Sequence, residues 1–198
     1  ILDGSTPYAM AYAGHQFGYF VPQLGDGRAI NLGSVNNWHL QTKGSGLTRY
    51  SRQGDGRAVL RSSIREYLMS EAMFGLGIPT TRALAIIDSD SFAHREWEQE
   101  SCAIVLRMSP SWIRVGTFEF FARSRDKETI FQLADYVIKQ SYSHLENEEN
   151  KYEKMFYSLV DKTAELLAKW QVYGFQHGVM NTDNFSVAGL TIDYGPYA

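Results

Sequence analysis

A polar loop near the end of the chain places the strongest constraint on how these 198 residues can fold. The loop contains Asp183 and Asn184, and a further aspartate, Asp193, follows ten residues after the first. Residues 185–192 between them are mostly apolar, and we predict two short strands there that join at Gly189 and form a hairpin. Such a hairpin would bring the three oxygen-bearing side chains to one site.

These three side chains suit a metal–phosphate site. Carboxylate and amide oxygens are the ligands that Mg²⁺ prefers, and this ion commonly takes only one or two protein groups and completes its shell with water and phosphate. An ordinary turn is the alternative, because short polar side chains such as those of residues 181–184 bond their own backbone. This segment alone leaves both interpretations open.

Composition and charge exclude several classes of protein. A net charge of -3 argues against a general nucleic-acid binder, which carries a basic surface. No apolar run approaches the roughly 18 residues of a membrane span, so we predict no membrane association. The single cysteine, Cys102, excludes an internal disulfide and a cysteine-rich zinc site. Because the chain begins without Met and stops at Ala198, we expect it to be a fragment of a longer protein.

A glycine-rich turn in the first part of the chain runs into a predicted strand and is a candidate anion site. Gly25 and Gly27 leave space for backbone N–H groups to approach a phosphate. Residues 38–43 alternate between an apolar and a polar face, and Lys43 lies on the polar face, where it could neutralise that phosphate. The alternatives are a common hairpin turn and a solvated lysine.

The five residues at positions 25–29 recur at positions 54–58. No fixed period continues beyond this second copy, so we do not infer a repeat protein. The repetition predicts two loops of similar chemistry, each of which offers backbone donors.

Residues 60–74 have the spacing of a helix that ends at the glycines which follow it. Glu66 lies one position from the apolar stripe, and from a helix packed on the sheet it could reach Lys43, as an ion pair does in phosphoryl-transfer enzymes. A helical glutamate with arginine neighbours is more often solvated. The predicted apolar stripe comprises Leu60, Ile64, Tyr67, Leu68 and Ala72.

Two arginines follow a second pair of predicted strands. We predict a strand that turns at residues 88–91, an exposed hairpin tip at residues 93–100, and a return strand at residues 102–108. Arg107 lies at the end of the return strand and Arg114 seven residues later. Their planar side chains could grip phosphate oxygens, or they could be surface charges without a partner.

The remainder of the chain is predicted to be helical. Helical spacing covers residues 116–123, 128–142 and 151–173. The last of these segments carries an apolar stripe that includes Phe156 and Trp170, and it leads directly into the polar loop.

The order of these elements predicts the fold class. A strand-rich first part with one main helix, followed by helices, predicts an α+β fold of two lobes with a nucleotide between them. A glycine-rich loop, a strand lysine, a helix glutamate, a loop that begins with histidine and an Asp-x-Gly segment follow the order of parts in protein kinases. We assign residues 1–108 to the small lobe and residues 109–198 to the start of a truncated, helical large lobe.

Several sequence blocks carry a resemblance to one family. His177 is followed by Gly-Val in place of the Arg-Asp of an ordinary kinase, and the aspartate of the loop is displaced next to Asn184. With these features, the sequence resembles the selenoprotein O family of kinase-fold protein adenylyltransferases. The blocks that carry the resemblance lie at residues 12–18, 23–29, 41–46, 60–66 and 177–184.

The resemblance implies transfer of AMP from ATP to a Ser, Thr or Tyr hydroxyl of a protein, with release of pyrophosphate and with ATP inverted relative to kinases. It implies that Asp183 is the catalytic base, that Asn184 and Asp193 bind Mg²⁺ or Mn²⁺, and that Glu66 acts through Lys43. The residues implied to bind the nucleotide are Gly25, Gly27, Arg28, Lys43, Asp55, Gly56, Glu66, Arg107, Arg114 and Asp193.

The resemblance also implies a location in the cytoplasm of a bacterium or in the mitochondrion of a eukaryote. We expect a monomer that acts on protein substrates and binds neither nucleic acid nor membrane. Arg49 stands where the family has a proline, and the C-terminal Cys or selenocysteine of the family lies beyond Ala198.

Two other functions fit the sequence. One is a kinase that transfers the γ-phosphate, and the other is a pseudokinase scaffold that binds nucleotide without catalysis. The absence of Arg-Asp after His177 favours the scaffold, whereas the presence of Lys43, Glu66 and Asp193 favours an enzyme.

Overall fold

The computed structural model describes residues 4–95, 98–123 and 127–198, which form an α+β fold. The strands within these ranges are β1 (Gly14–Gln16), β2 (Tyr19–Val21), β3 (Ala29–Val35), β4 (Trp38–Lys43), β5 (Ala58–Val59), β6 (Arg82–Arg95) and β7 (Glu98–Ser109). The α-helices are α1 (Leu60–Gly75), α2 (Val115–Ala122), α3 (Lys127–Ser141) and α4 (Lys151–Val172).

The main sheet is antiparallel, and its register gathers polar residues of two strands on one face. Strand β4 pairs with β3 on one side and with β7 on the other, and β7 also pairs with β5 and β6. Gln41 of β4 lies opposite Arg107 of β7. Because alternate residues of a strand face the same side, Lys43 shares the face of Gln41. The predicted polar face of β4 is therefore its interior face, since both residues are buried.

Helix α1 packs against β6 and β7, but its buried face differs from the predicted apolar stripe. Ile64 and Leu68 of that stripe are exposed. The helix turns Glu66 toward β4 and β7, where it meets two buried cations. It ends as predicted near Gly77, which has a positive φ of 74°. The buried residues of the helix are Ser63, Glu66, Ser70 and Met73.

The turn predicted at residues 88–91 is wrong, because strand β6 continues through this segment. A β-bulge between Ser89 and Phe92 absorbs the irregularity, and pairing with β7 resumes beyond it. Most of the tip predicted at residues 93–100 is therefore paired strand. Residues 96–97 of that tip lie outside the described residues.

The opening stretch, which the sequence predicts to be irregular or a short helix, instead forms a separate hairpin of β1 and β2. Its turn consists of Phe17 and Gly18, with φ values of 53° and 82°. Positive φ at both central residues gives a tight turn whose twist matches that of the strands. Strand β1 contacts a short 3₁₀ helix (Thr182–Asn184), so the hairpin lies beside the polar loop.

The helices predicted in the second half of the chain are confirmed as α2, α3 and α4. Helix α4 buries Leu166 and Trp170, whereas Phe156 of its predicted stripe is 58% exposed. No helix in the described ranges is both long enough and apolar enough to cross a lipid bilayer. A core cluster joins α1 and α4 to the segment that follows Asp193, and it comprises Met73, Ile78, Leu166, Trp170, Phe175 and Tyr194.

The hairpin predicted for residues 185–192 is wrong. Ser186 and Thr191 form only isolated bridges, with Arg114 and Thr80 respectively. The segment therefore has no strand partner of its own, and its backbone is fixed by parts of the chain that are distant in sequence. These distant contacts, rather than a local hairpin, place the aspartate that follows.

Candidate active site

A buried cluster of three cations and two carboxylates forms the centre of the site. Lys43 Nζ lies 2.6 Å from Glu66 Oε2 and 2.9 Å from Asp193 Oδ1. Arg107 donates to the same two carboxylates, at 2.7 Å from Glu66 Oε1 and 2.6 Å from Asp193 Oδ1. Arg114 donates to Asp193 Oδ2 at 2.5 Å. The contact predicted between Glu66 and Lys43 is therefore present, and both arginines lie in the interior rather than on the surface.

Opposite charges keep both carboxylates of the cluster ionised. Burial raises the pKa of Asp193, but the charges of Lys43, Arg114 and Arg107 outweigh burial and hold that pKa well below its ordinary value. Burial also raises the pKa of Glu66, and the charges of Lys43 and Arg107 again outweigh it, so that its pKa is lowered. Removal of either carboxylate would leave the three buried cations with a single carboxylate of the cluster, and therefore with an excess of buried positive charge.

Asp193 has a strained backbone that its neighbours hold in place. Its φ is 59°, in the left-handed region that residues with a Cβ rarely occupy. Tyr194 beside it is buried in the core, and its hydroxyl bonds the side chain of Thr80. Strain of this kind persists only where the surrounding structure fixes it, and it often marks a functional residue.

His177, the first residue of the polar loop, has a structural role that the sequence did not reveal. The imidazole stacks on Trp170 at 5.6 Å between ring centroids. Its Nδ1 accepts from the N–H of Val179, so Nε2 carries the hydrogen and donates to the carbonyl of Ile192 at 2.9 Å. His177 therefore fixes the backbone immediately before Asp193.

A polar network behind Arg107 was also missed. Gln41 Oε1 accepts from Arg107 Nε at 2.8 Å, and Gln41 Nε2 donates to Asn31 Oδ1 at 3.1 Å. Asn31 donates in turn to Asp26 Oδ2 at 3.3 Å, and Asp26 Oδ1 lies 3.9 Å from Arg114. The alternation of polar and apolar residues along β4 could have indicated Gln41, because Gln41 shares the interior face of the strand with Lys43. Asp26 gave no such indication, since aspartate is common in glycine-rich turns.

Arg114 links the cation cluster to the polar loop. Besides its bond to Asp193, it donates to the carbonyl oxygen of Asp183 at 2.6 Å, and its side chain is only 2% exposed. The Nε–H of Arg114 is buried without an acceptor among the described residues. Such unsatisfied donors are rare and occur where a ligand, an ion or a water supplies the acceptor.

Asp183 lies at the junction of the polar loop and the β1–β2 hairpin. Its Oδ2 accepts from Gln16 Nε2 at 3.0 Å, while its Oδ1 is buried without a donor among the described residues. Burial raises the pKa of Asp183, although the hydrogen bond from Gln16 opposes this effect. An ionised carboxylate with so few donors is a stronger base than one in water.

Asn184 is the next residue, and it lines the same cavity as Asp193. Its Nδ2 donates to the carbonyl of Val179 at 3.0 Å, which leaves its Oδ1 as a candidate ligand atom. No group of three or more His, Cys, Asp or Glu residues suited to a metal occurs in the described part of the chain. An amide oxygen and a carboxylate oxygen nevertheless suit Mg²⁺, which keeps water and phosphate ligands.

The two glycine-rich loops pack closely against other parts of the chain. Gly25 has φ 130°, and a Cβ there would overlap the ring of Tyr50. Gly56 has φ 70°, and a Cβ there would overlap the backbone of Gly46. The N–H of Gly27 already donates to the carbonyl of Gly25 at 2.7 Å. The glycines therefore serve packing and conformation, and the N–H of Gly27 is bonded within its own loop.

Asp55 and Arg28 lie at the outer part of the cavity. Both carboxylate oxygens of Asp55 accept from Arg95, at 2.7 and 2.9 Å, and the hydrogen bonds from Arg95 lower the pKa of Asp55 to about 2. Arg28 is exposed. Asp55 thus fixes an arginine at the rim.

All twelve predicted site residues line one cavity of about 650 Å³, a volume typical of small-molecule sites. Five further arginines line it, namely Arg52, Arg57, Arg61, Arg65 and Arg95. Fold and site together define an α+β protein with a cation-lined cavity of the kind that binds a polyanion.

Comparison with known proteins gives the family. The family described as Protein adenylyltransferase SelO matches residues 2–198, and the chain belongs to this family, as the sequence blocks predicted. The chain is 56%, 54% and 55% identical to proteins named Protein nucleotidyltransferase YdiU from Thioalkalivibrio sulfidiphilus, Myxococcus xanthus and Thiobacillus denitrificans. These matches cover 99%, 99% and 100% of this chain but 41% of each relative, so the chain spans about two fifths of their length.

Proposed function

We propose that the protein transfers AMP from ATP to a Ser, Thr or Tyr hydroxyl of a protein substrate and releases pyrophosphate. The observation that carries this proposal is the convergence of Lys43, Arg107 and Arg114 on Asp193, in one cavity that Asp183 also lines. The family description and the names of the relatives support nucleotidyl transfer.

The three buried cations are suited to the inner end of the triphosphate. In the protein alone, Asp193 is a shared partner of all three cations. A triphosphate would take over these contacts and would give the unsatisfied Nε–H of Arg114 an acceptor. Without Lys43 and both arginines, a buried polyanion would be prohibitively unstable. Glu66 orients Lys43 and Arg107 from α1.

The inverted orientation of ATP, which the family resemblance implies, would place the γ-phosphate among these cations and the α-phosphate toward Asp183. The two glycine-rich loops would form part of the cavity wall around the nucleotide, through Gly25 and Gly27 of the first loop and Gly56 of the second. At the rim of the cavity, Arg28 would supply positive charge. Asp55 would contribute by holding the positively charged Arg95 in place.

Asn184 and Asp193 would hold Mg²⁺ or Mn²⁺, and the oxygen chemistry of this pair fits such an ion. The ion would neutralise the charge of the phosphates. Both oxygens of Asp193 are bonded to Lys43, Arg107 and Arg114 in the protein alone. Transfer of these cations to the triphosphate would therefore release the carboxylate for the metal.

Asp183 would act as general base. The hydroxyl of the acceptor loses its proton to the Asp183 carboxylate, the hydroxyl oxygen bonds to the α-phosphorus, and the bond from that phosphorus to the bridging oxygen breaks. Pyrophosphate leaves with the electron pair of the broken bond. A positioned base contributes roughly 10²–10⁴ in rate, and the cations contribute by charge stabilisation.

A protein-kinase-like arrangement fits this site. Strands β3 to β7 with α1 would form the small lobe predicted at residues 1–108, with β7 ending one residue beyond it, and α2 to α4 would begin the large lobe. The site residues come from both parts, so the nucleotide would bind between them.

The proposal is tested by incubating the full-length protein with a mixture of acceptor proteins, Mg²⁺ and ATP that is labelled at either the α- or the γ-phosphate. Label from α-labelled ATP should appear on protein, label from γ-labelled ATP should not, and EDTA should abolish transfer. Asp183→Ala should reduce transfer by roughly 10²–10⁴-fold but retain ATP binding, whereas Asp161→Ala, an exposed control on α4, should behave as wild type. Transfer of γ-label would show a kinase instead.

A further inference from the structure

The β1–β2 hairpin is attached to the segment that carries the base of the proposed reaction. The N–H of Ala13 donates to the carbonyl of Gly116 at 2.8 Å, and the N–H of His15 donates to Thr182 Oγ1 at 3.2 Å. Thr182 Oγ1 donates in turn to Glu119 of α2 at 2.6 Å, and His15 Nδ1 lies 3.3 Å from the same carboxylate. The residue next to His15, Gln16, is therefore held at a fixed distance from the polar loop.

Gln16 and Gly14 meet Asp183 from the same strand. Alternate residues of β1 face the same side, and a Cβ on Gly14 would overlap the Asp183 carboxylate. Gln16 Nε2 donates to Oδ2 of that carboxylate at 3.0 Å. In the described part of the chain, no other side chain donates a hydrogen bond to Asp183. The backbone of the aspartate is held separately, by Arg114.

We propose that Gln16 is a positioning residue for Asp183, and that the hairpin exists at this place in the fold to deliver its amide. The inference rests on the proposed function, because it assigns Gln16 to the base of that reaction. Gln16 would act by fixing the plane of the Asp183 carboxylate. Among the described residues, it would be the single side chain that donates a hydrogen bond to this carboxylate. Misplacement of a reacting group by about 1 Å can cost about 100-fold in rate, so loss of this bond should be seen in kcat.

The test compares Gln16→Met, which keeps the length of the side chain but removes the donor, with Gln16→Lys, which keeps a donor. Transfer from α-labelled ATP and ATP affinity are measured in the full-length protein. We expect Gln16→Met to lower kcat by about 10- to 100-fold with KM and Kd for ATP changed by less than about two-fold, and Gln16→Lys to retain more of kcat. Gln132→Met on the exposed face of α3 is the matched control and should leave kcat unchanged.

A double-mutant cycle separates positioning from an independent role. If Gln16 acts through Asp183, Gln16→Met should cause no further loss in the Asp183→Ala background, measured over long incubations. Three outcomes would overturn the inference: an unchanged kcat in Gln16→Met, an equal loss of kcat when Gln16→Met is added to Asp183→Ala, or a loss that appears as weaker ATP binding. In each case, AMP transfer by the wild type would still support the proposed function. If the wild type transfers no AMP, or if Asp183→Ala transfers at the wild-type rate, the assignment of the base and the role of Gln16 both fail.

Discussion

At the scale of single residues, Asp193 has the most demanding position in the site. One carboxylate accepts hydrogen bonds from three buried cations while its backbone has a φ of 59°. Ion pairs of this kind do not stabilise a fold strongly in themselves, because desolvation offsets the attraction. They do make each partner indispensable once the others are buried.

Glu66→Gln should therefore destabilise the protein severely. The substitution removes the charge that faces Lys43 and Arg107, and loss of one partner of a buried pair typically costs about 3–5 kcal/mol. The free energy of unfolding is measured by denaturant titration of the full-length protein. Glu71→Gln on the same helix provides the control, because the Arg82 that pairs with Glu71 is partly exposed, and the expected loss is about 1 kcal/mol or less. Equal losses in the two variants would contradict the buried ion cluster.

At the scale of secondary-structure elements, buried polar contacts override apolar patterning in two places. Helix α1 exposes Ile64 and Leu68 and buries Glu66, and β4 buries Gln41 and Lys43. Both choices follow from one requirement, since the glutamate and the lysine must meet across the interface between helix and sheet. The pattern of apolar residues would place α1 in a different rotation.

The contact of the second glycine-rich loop, at Gly56, with the backbone of Gly46 also belongs to this scale. Gly56→Ala should destabilise the protein by about 2 kcal/mol or more, because Gly56 has a positive φ and its new Cβ would overlap the backbone of Gly46. ATP affinity should fall as well if the second loop bounds the nucleotide. Gly75→Ala at the end of α1 meets no atom within 4 Å and should change stability by about 0.5 kcal/mol or less. Thermal melts and ATP titrations of both variants distinguish these outcomes.

At the scale of the whole molecule, acid should remove activity before it removes the fold. Glu66 and Asp193 have lowered pKa values, so their ionised forms stabilise the protein above about pH 4, the ordinary range of carboxylates, and this stability is lost only as the pH falls through the lowered values. Asp183 has a raised pKa, so it takes up a proton and ceases to act as a base at a higher pH.

Initial rates of AMP transfer and far-UV circular dichroism, both recorded from pH 7 to pH 2, test this order. We expect the rate to fall while the dichroism is unchanged, and the dichroism to change only at lower pH. Loss of both signals at one pH would mean that the protonation of Asp183 does not limit the reaction separately from unfolding.

Much of the fold could be predicted from the sequence, and so could many of the residues that line the cavity. The α+β class, the helices α2 to α4 and the strand that ends at Lys43 were predictable because they depend on local periodicity, whereas Arg107 and Arg114 were assigned to the site only through the family resemblance. The sequence blocks also identified the family, and all twelve predicted site residues lie on one cavity.

Only the tertiary structure decided how these residues meet. The face that α1 buries, the extended backbone of β6 through residues 88–91, the position of Asp193 without a hairpin and the contact of Gln16 with Asp183 all depend on partners far away in the chain. The spacing of apolar residues along a segment indicates only which face of that segment is buried on average. It contains no information about a hydrogen bond between residues 16 and 183, which the packing of separate elements creates.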